Sequence, residues 1–396
     1  SNGREESQEL HLNPESGQWI PDNTYLQRHI NADIVYNIMQ YHEATCDKEF
    51  MTLYGAEIIL EVANFFGSKA EWDDAKERYV INHIVGPDEY HTQYPDSENP
   101  GIDNNAYTNV MAAWVLKTAC EVFHGLVPSR KEELRNQLDI SEENFIRWDQ
   151  VSRKLYIPFI GDRIIAQFEG YEKLEELDLE EYRKEHGEYL RIDRILQAEG
   201  DDPNRYKTSK QADVLMLFYL FSNDDLQEIF KHMGYDFDPK MLSENIDYYN
   251  KRTSHGSTLS KLVHSWVTAR SDRKKSWESF EKALLSDFED VQGGTTSEGI
   301  HLGAMAGTVD LMQRCYSGLR MNKNILYLNP RLPDNLDGLN FKIRYRSKWL
   351  SVHINHEKMD VSVIEGWGNP IKLGFGDSVY ELSIGDQKTF KLKNHE

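Results

Sequence analysis

The segment Arg78–Val110, RYVINHIVGPDEYHTQYPDSENPGIDNNAYTNV, decides how the rest of the chain is read. It opens as a short apolar run, breaks at Gly86-Pro87, presents Asp88 and Glu89, and loops to Asn104-Asn105. From there AYTNVMAAWVLKTACEVF places Ala106, Val110, Trp114, Leu116 and Ala119 at helical spacing. A proline followed by two acids reads as loop, because proline lacks the N–H that a helix interior requires. The two acids are therefore expected at the lip of a helical layer. Asp103 and Asn104 suit the N-cap of the helix that follows, since their side-chain oxygens accept from unpaired backbone N–H groups. Glu89 lies behind the rigid Gly-Pro and beside Tyr90 and His91. That setting predicts partial desolvation, which raises a carboxyl towards neutrality. A carboxyl still protonated near pH 7 is what a general acid needs. On composition alone a solvated loop acid remains the simpler reading.

The chain of 396 residues can bury a large core, and its length suggests two or three domains. Hydrophobic residues make up 39%, charged 28% and aromatic 11%. Aromatic rings stack on sugar faces as readily as they fill cores, so this excess permits carbohydrate binding without establishing it. A net charge of −21 excludes a general nucleic-acid partner, whose phosphates most of the surface would repel. A phosphate-using enzyme with that charge needs a local basic or N–H-rich pocket. Cys46, Cys120 and Cys315 are scattered and odd in number, without metal-ligand spacing, so a disulfide framework or metal site is not expected. Reduced thiols and a cytoplasmic setting are. The run Val214–Phe221 is far shorter than the ~20 apolar residues of a membrane span. SNGREESQEL at the start lacks the features of a signal peptide.

Helical periodicity continues outward on both sides. Leu26, Ile30, Ile34, Ile38 and Tyr41 form one stripe, and FMTLYGAEIILEVANFFGSKA a second helix. Ser141 is expected to cap a helix through Trp148, with the full capping box missing because Asn144 stands where Glu or Gln would reach back. Residues 154–171 read as loop with short strands, and EKLEELDLEEYRKEHGEY as a solvated acidic face. KQADVLMLFYLF reads as a helix buried all round, and Asp224–Met233, Ser257–Arg270, Lys274–Phe288 and Gly299–Leu319 as further helices. Trp266 and Trp277 are assigned to the core. After Asn322 the pattern changes to alternation broken by Gly, Pro, Asn and Asp, which predicts an antiparallel sheet. The expected division is residues 1–322, helical, and 323–396, β. Paired helices fit an α/α toroid, although a bundle or solenoid fits the pattern nearly as well.

GPDEYH followed by DNNAYTN resembles the signature of glycoside hydrolase family 65, the inverting disaccharide phosphorylases. TSKQADVLMLFYL, YYNKRTSHGSTLS, TSEGIHLGAMAGT and LNPRLPDNLDGLNFKIRYR resemble further segments of that family, in family order. Each string alone is weak; five in order are specific. The resemblance implies an (α/α)6 toroid, incomplete on its N-terminal side, followed by a small antiparallel β domain. It implies Glu89 as general acid, and Lys210 and Gln211, with Asp88 and His91 of the acid motif, as substrate-binding residues. Ser257, Thr258, His255, His301 and Gly299 match the phosphate-binding segments. Gly256 stands where the family commonly has Asp, which removes a negative charge from that neighbourhood. Hydroxyls and free N–H groups at a helix start suit an anion, and so do the glycines Gly293, Gly294 and Gly299 with Thr295 and Thr296. The bland readings are capping by Ser254 or Ser257, a core or surface role for His301, and a solvated helix end at Lys210.

Inverting hydrolysis requires a second carboxylate ~6.5–9.5 Å from the acid to activate water. In phosphorolysis inorganic phosphate is itself the nucleophile, so one acid suffices and no cofactor is implied. The expected reaction converts an α-linked glucose disaccharide and phosphate into β-glucose 1-phosphate and a free sugar. Glu298 and Glu244 are the spare acids that would support a hydrolase, and a non-catalytic carbohydrate-binding fragment is the third reading. The linkage is not specified; HTQYPDSENPG at 91–101 is the loop expected to shape the leaving-group side. The family's Trp-Asp motif and N-terminal β-sandwich have no match, so a fragment is expected, with apolar surface showing on Leu26–Tyr41. Its partners would be a second copy or the preceding portion, and the resemblance suggests a homodimer.

Overall fold

The computed structural model describes residues 7–187, 191–290 and 299–392. They fall into two compact units, Ser1–Val35 with Thr52–Ser260, and Tyr36–Met51 with Lys261–Glu396. Compactness thus divides the chain elsewhere than the change from helix to strand at 322/323. The helix Ile30–Thr45 contributes to both units.

The first unit is built on the helix Ala106–Gly125, which packs on Ala56–Lys69, Glu142–Lys154, Asp213–Leu220 and Asn223–His232. Ala106, Val110, Leu116 and Ala119 are buried along it, as their spacing predicts, and Trp114 is half-buried. Gly67 allows the closest approach: a Cβ there would overlap the indole of Trp148. The cap of the central helix is Asn105, not Asp103 or Asn104; Asn105 Oδ1 accepts from Thr108 N at 3.0 Å. Asp103 instead accepts from His83 N, and Asn104 Oδ1 from Ile81 N. Their side chains are spent on the loop that precedes the helix. The capping box on Glu142–Lys154 is present, because Asn144 Oδ1 is long enough to accept from Ser141 N at 2.9 Å. Two segments outside the foreseen helices and strands are ordered: Leu10–Leu12 pairs with Trp19–Pro21, and the acidic run includes the helix Leu179–His186. Residues 154–171 carry the expected short strands, Phe159–Ile160 and Ile164–Ile165. On the first turns of Ile30–Thr45, Ile30 and Ile34 are exposed while Ala32 and Val35 are buried.

The second unit contains two four-stranded sheets. One, fully antiparallel, runs in the order Gln387–Lys391, Lys358–Gly366, Lys348–Asn355, Gly338–Tyr345. The other runs Ser378–Leu382, Ile371–Phe375, Ile325–Tyr327, Arg320–Asn322. Its pairing of Ile371–Phe375 with Ile325–Tyr327 is parallel, a departure from the antiparallel expectation. Leu350, Val352 and Ile354 alternate inward against Met359, Val361, Val363, Leu326 and Leu373. Trp277 packs on the edge of this core, and the Arg314 guanidinium lies 4.8 Å from the Trp266 ring. Cys46, Cys120 and Cys315 are free. No helix among the described residues is long and apolar enough to cross a membrane.

Candidate active site

Glu89 sits on the loop between the strand Arg78–Val80 and the central helix. Its backbone is left-handed, φ 66°, a conformation that costs a non-glycine residue roughly 1–3 kcal/mol and persists only where its surroundings enforce it. Here they do. Asp88 N donates to Asp213 Oδ1 at 2.8 Å, and Gln211 N donates to Asp88 Oδ1 at 2.8 Å. The acid loop and the KQAD segment therefore grip each other through reciprocal carboxylate–amide bonds. Asn105 Nδ2 closes the arrangement on Asp213 Oδ2 at 2.6 Å, while Asp213 N donates to Gln167 Oε1. Gly86 is required beneath it, because a Cβ there would overlap both Asp213 Oδ2 and Asn105 Nδ2.

This clamp presents Glu89 outward. Lys210 Nζ lies 2.7 Å from Glu89 Oε2 and Gln27 Nε2 3.1 Å from Oε1, and the Glu89 side chain keeps 40% exposure. Glu89 is thus only partly withdrawn from water, and the deeper burial belongs to the residues behind. Asp88 and Asp213 are 3% and 2% exposed. Burial pushes both carboxyls above the usual carboxylate range, for Asp88 together with the neighbouring charge of Asp213.

His91 also lies inside, with Nε2 hydrogen-bonded to the Tyr206 carbonyl at 2.8 Å and its ring against Phe168 and Tyr171. Burial lowers it to about 4, so it is neutral at pH 7. The side chains of Asp88 and His91 face the protein interior, where they hold the loop. His29, which the sequence reading missed, is buried and lowered to about 4, with the negative charge of Glu89 working against that burial. Gln27, Asp213 and Asn105 were missed as well. An acid interrupting the apolar run of KQADVLMLFYLF was the available signal for Asp213.

The RTSHGST segment reaches the same unit through a bridge between Ser209 and Thr253 and a contact of Tyr90 OH with Ser254 Oγ at 3.1 Å. His255 has φ 57° and bonds Ser260 Oγ through Nδ1 at 2.8 Å. Ser257 Oγ accepts from Leu259 N, a capping contact, and Thr258 opens the helix Thr258–Thr268. His301 and Gly299 belong to the second unit. There the His301 ring bonds Asp287 at 2.5 Å and Gly299 has φ 121°. Gly293, Gly294, Thr295, Thr296 and Glu298 lie outside the described residues.

A cavity of about 300 Å³ opens beside Glu89, between Tyr90, Thr92, His11 and Asn204. Three aspartates line it, and each is committed. Arg191 holds both oxygens of Asp193, at 3.1 and 2.8 Å. Arg205 and Tyr206 OH hold Asp201, and Asp202 Oδ1 accepts from Asn204. Glu244, the other spare acid, is paired with Arg163.

A model described as the glycosyl hydrolase family 65 central catalytic domain matches residues 1–310, and one described as the family's C-terminal domain matches 319–382. An uncharacterised glycosyl hydrolase of Mycobacterium tuberculosis is 46% identical over 97% of this chain and 29% of its own length. The trehalose 6-phosphate phosphorylase of Lactococcus lactis is 35% identical over 99% of the chain and 49% of its own. For the kojibiose phosphorylase of Halothermothrix orenii the figures are 30%, 86% and 41%. A solved chain from the human microbiome, described as a candidate kojibiose phosphorylase, shares the fold at TM-score 0.75 and 23% identity, over 91% of this chain and 46% of its own. The chain thus spans about half, or less, of the length of these relatives. With both family models matched in order across most of its length, the chain belongs to glycosyl hydrolase family 65.

Proposed function

We propose that residues 1–322 carry the acid and phosphate-binding parts of an inverting disaccharide phosphorylase, with 323–396 as its β domain. Glu89 gives its proton to the glycosidic oxygen as the C1–O bond breaks. A phosphate oxygen attacks C1 from the opposite face, so the products are β-glucose 1-phosphate and a free sugar. Phosphate supplies the nucleophile and Glu89 the proton; the reaction written this way needs no cofactor. Lys210 and Gln27 orient the carboxyl. Gln211, through its backbone, with Asp88 and His91 behind, holds the loop in place. Ser257, Thr258, His255, His301 and Gly299 are proposed for phosphate.

The observation that carries this reading is the contrast around Glu89. It is held and partly exposed, whereas Asp193 and Asp201 on the adjoining cavity wall are engaged by arginines and Asp202 by Asn204. A base that activates water needs a carboxylate free to take a proton. The names of the relatives differ in the leaving portion, trehalose 6-phosphate, kojibiose or glucosylglycerol. The reading therefore stops at an α-linked glucose disaccharide.

The test is sugar release by the complete protein with and without inorganic phosphate. Strict phosphate dependence is expected, and equal release without phosphate would leave a hydrolase. His301→Ala is expected to raise the phosphate requirement, whereas a purely structural histidine would lower thermal stability and leave that requirement alone.

A further inference from the structure

A second cavity, about 490 Å³, lies wholly within the second unit and plays no part in the reaction above. Arg273 and Lys274, the first residues of the helix Arg273–Leu284, line it together with Arg331, His356 and Asn355. In a chain of net charge −21, cations usually find carboxylates. Yet none of the ion pairs among the described residues engages Arg273, Lys274 or Arg331. Two acids share the lining, Asp272 and Asp334. Asp272 is spent on the helix cap, accepting from Lys275 N at 3.0 Å.

Arg273 is the telling member. Its Nε is buried without a hydrogen-bond partner, and its Nη1 reaches only Cys315 Sγ, at 4.0 Å. Its guanidinium lies 5.7 Å from the centre of the buried Tyr316 ring. Burial lowers its affinity for a proton, and the like charge of Arg331 adds to that. Arg273 is half-buried, and a guanidinium partly withdrawn from water without an ion pair is costly. The cost disappears if an oxyanion takes the place between the two arginines, because a planar fork of N–H donors matches a phosphoryl group. The position is rigid: Arg331 N donates to Tyr316 O at 2.9 Å, and Tyr316 OH lies 3.0 Å from Ser276 Oγ on the helix that carries Arg273.

We propose that this cavity binds a sugar-sized phosphomonoester, with Arg273 and Arg331 gripping the phosphoryl group and Lys274 adding charge. The volume falls within the ~300–1,000 Å³ of small-molecule sites and exceeds what a bare phosphate fills. Asn355, His356 and Ser271 supply polar partners for hydroxyls, beside the apolar Leu332.

Calorimetric titration of the complete protein with glucose 6-phosphate and, separately, with inorganic phosphate tests this. Arg331 is exposed, so Arg331→Glu is expected to fold with an unchanged melting temperature. That variant turns the site on itself by pairing Glu with Arg273, and glucose 6-phosphate should bind it at least tenfold more weakly than wild type. Inorganic phosphate should bind this site more weakly than the ester. Absence of heat with wild type at millimolar ester, or equal affinity in Arg331→Glu, would overturn the site. Phosphate binding here as tightly as the ester would overturn the sugar-sized ligand. The phosphorylase reading rests on Glu89 and its own test, sugar release with and without phosphate, and neither result here decides it.

Discussion

Glu89 and Asp88 are adjacent carboxylates that the fold treats in opposite ways. Glu89 keeps 40% of its side-chain surface and bonds two flexible side chains, Lys210 and Gln27. Asp88, 3% exposed, bonds a backbone amide, and its own amide is bound by the equally buried Asp213. A proton donor must reach a ligand and exchange with it, which needs exposure. A brace must not yield, which needs burial and fixed partners. The comparison therefore predicts that damage to the outer layer shows as lost turnover and damage to the inner layer as lost stability.

The largest effect expected is that of Glu89→Gln. The amide keeps the size of the group but has no acidic proton, so turnover in a phosphorolysis assay should fall roughly 10²–10⁴-fold with the melting temperature unchanged. Retained turnover would break the comparison at its outer half. Asp213→Ala comes next. It leaves Asp88 N–H and Asn105 Nδ2 buried without acceptors, at about 1–3 kcal/mol each, and should shift the urea midpoint accordingly. A midpoint within error of wild type would show that the inner layer braces nothing.

A third, smaller effect is pH-linked. Burial raises Asp33 to about 6, against the lowering effect of its hydrogen bond from Tyr107 OH. Its folded value lies above the ~3.9 of an unfolded aspartate. The stability this contributes is fully present below about pH 4 and is lost as pH rises through about 6. His29 and His91, lowered to about 4, act oppositely, losing stability as pH falls below 6.5. The difference between wild type and Asp33→Asn isolates the aspartate. Measured by thermal melts, wild type should gain on the variant between pH 7 and pH 4.5, by at most roughly 2 kcal/mol at ~1.4 kcal/mol per unit. A difference that does not change with pH would remove Asp33 from the buried set. The smallest effect is expected for Gln27→Ala, which touches only the exposed carboxylate: stability within about 0.5 kcal/mol and a modest loss of turnover. A large fall in melting temperature would place Gln27 in the brace.

The Gly-Pro followed by two acids announced only a loop; Glu89 became the candidate acid, and Lys210 a candidate ligand residue, through the resemblance of GPDEYH and KQADV to family segments. The partial desolvation foreseen at Glu89 is surpassed one residue earlier, at the fully buried Asp88. A Gly-Pro announces a turn, but which of two following side chains points inward depends on what packs beneath. Asn105 was passed over as cap for a similar reason. Three successive polar residues can each cap a helix, and only the loop's long-range bonds to Ile81 and His83 remove two of them. At Ser141 the residue rule was too strict, since Asn can close a box when its side chain lies close enough.

By itself the sequence determined the long amphipathic helices, among them Ala106–Gly125 and Ala56–Lys69, and the strands after Asn322. Periods of 3.6 and 2 are properties of one segment and need no partner to be read. Which strand neighbours which was not among them: period 2 tells a strand's faces, not its partner, so the parallel pairing of Ile371–Phe375 with Ile325–Tyr327 had no local sign. The same holds for the brace, whose bond from Asn105 to Asp213 joins residues 108 apart. It holds too for Arg273 and Arg331, ordinary basic residues until the fold sets them in one cavity lining with no ion pair to either among the described residues. Burial and partner choice are sums over the whole chain, and only the tertiary structure performs them.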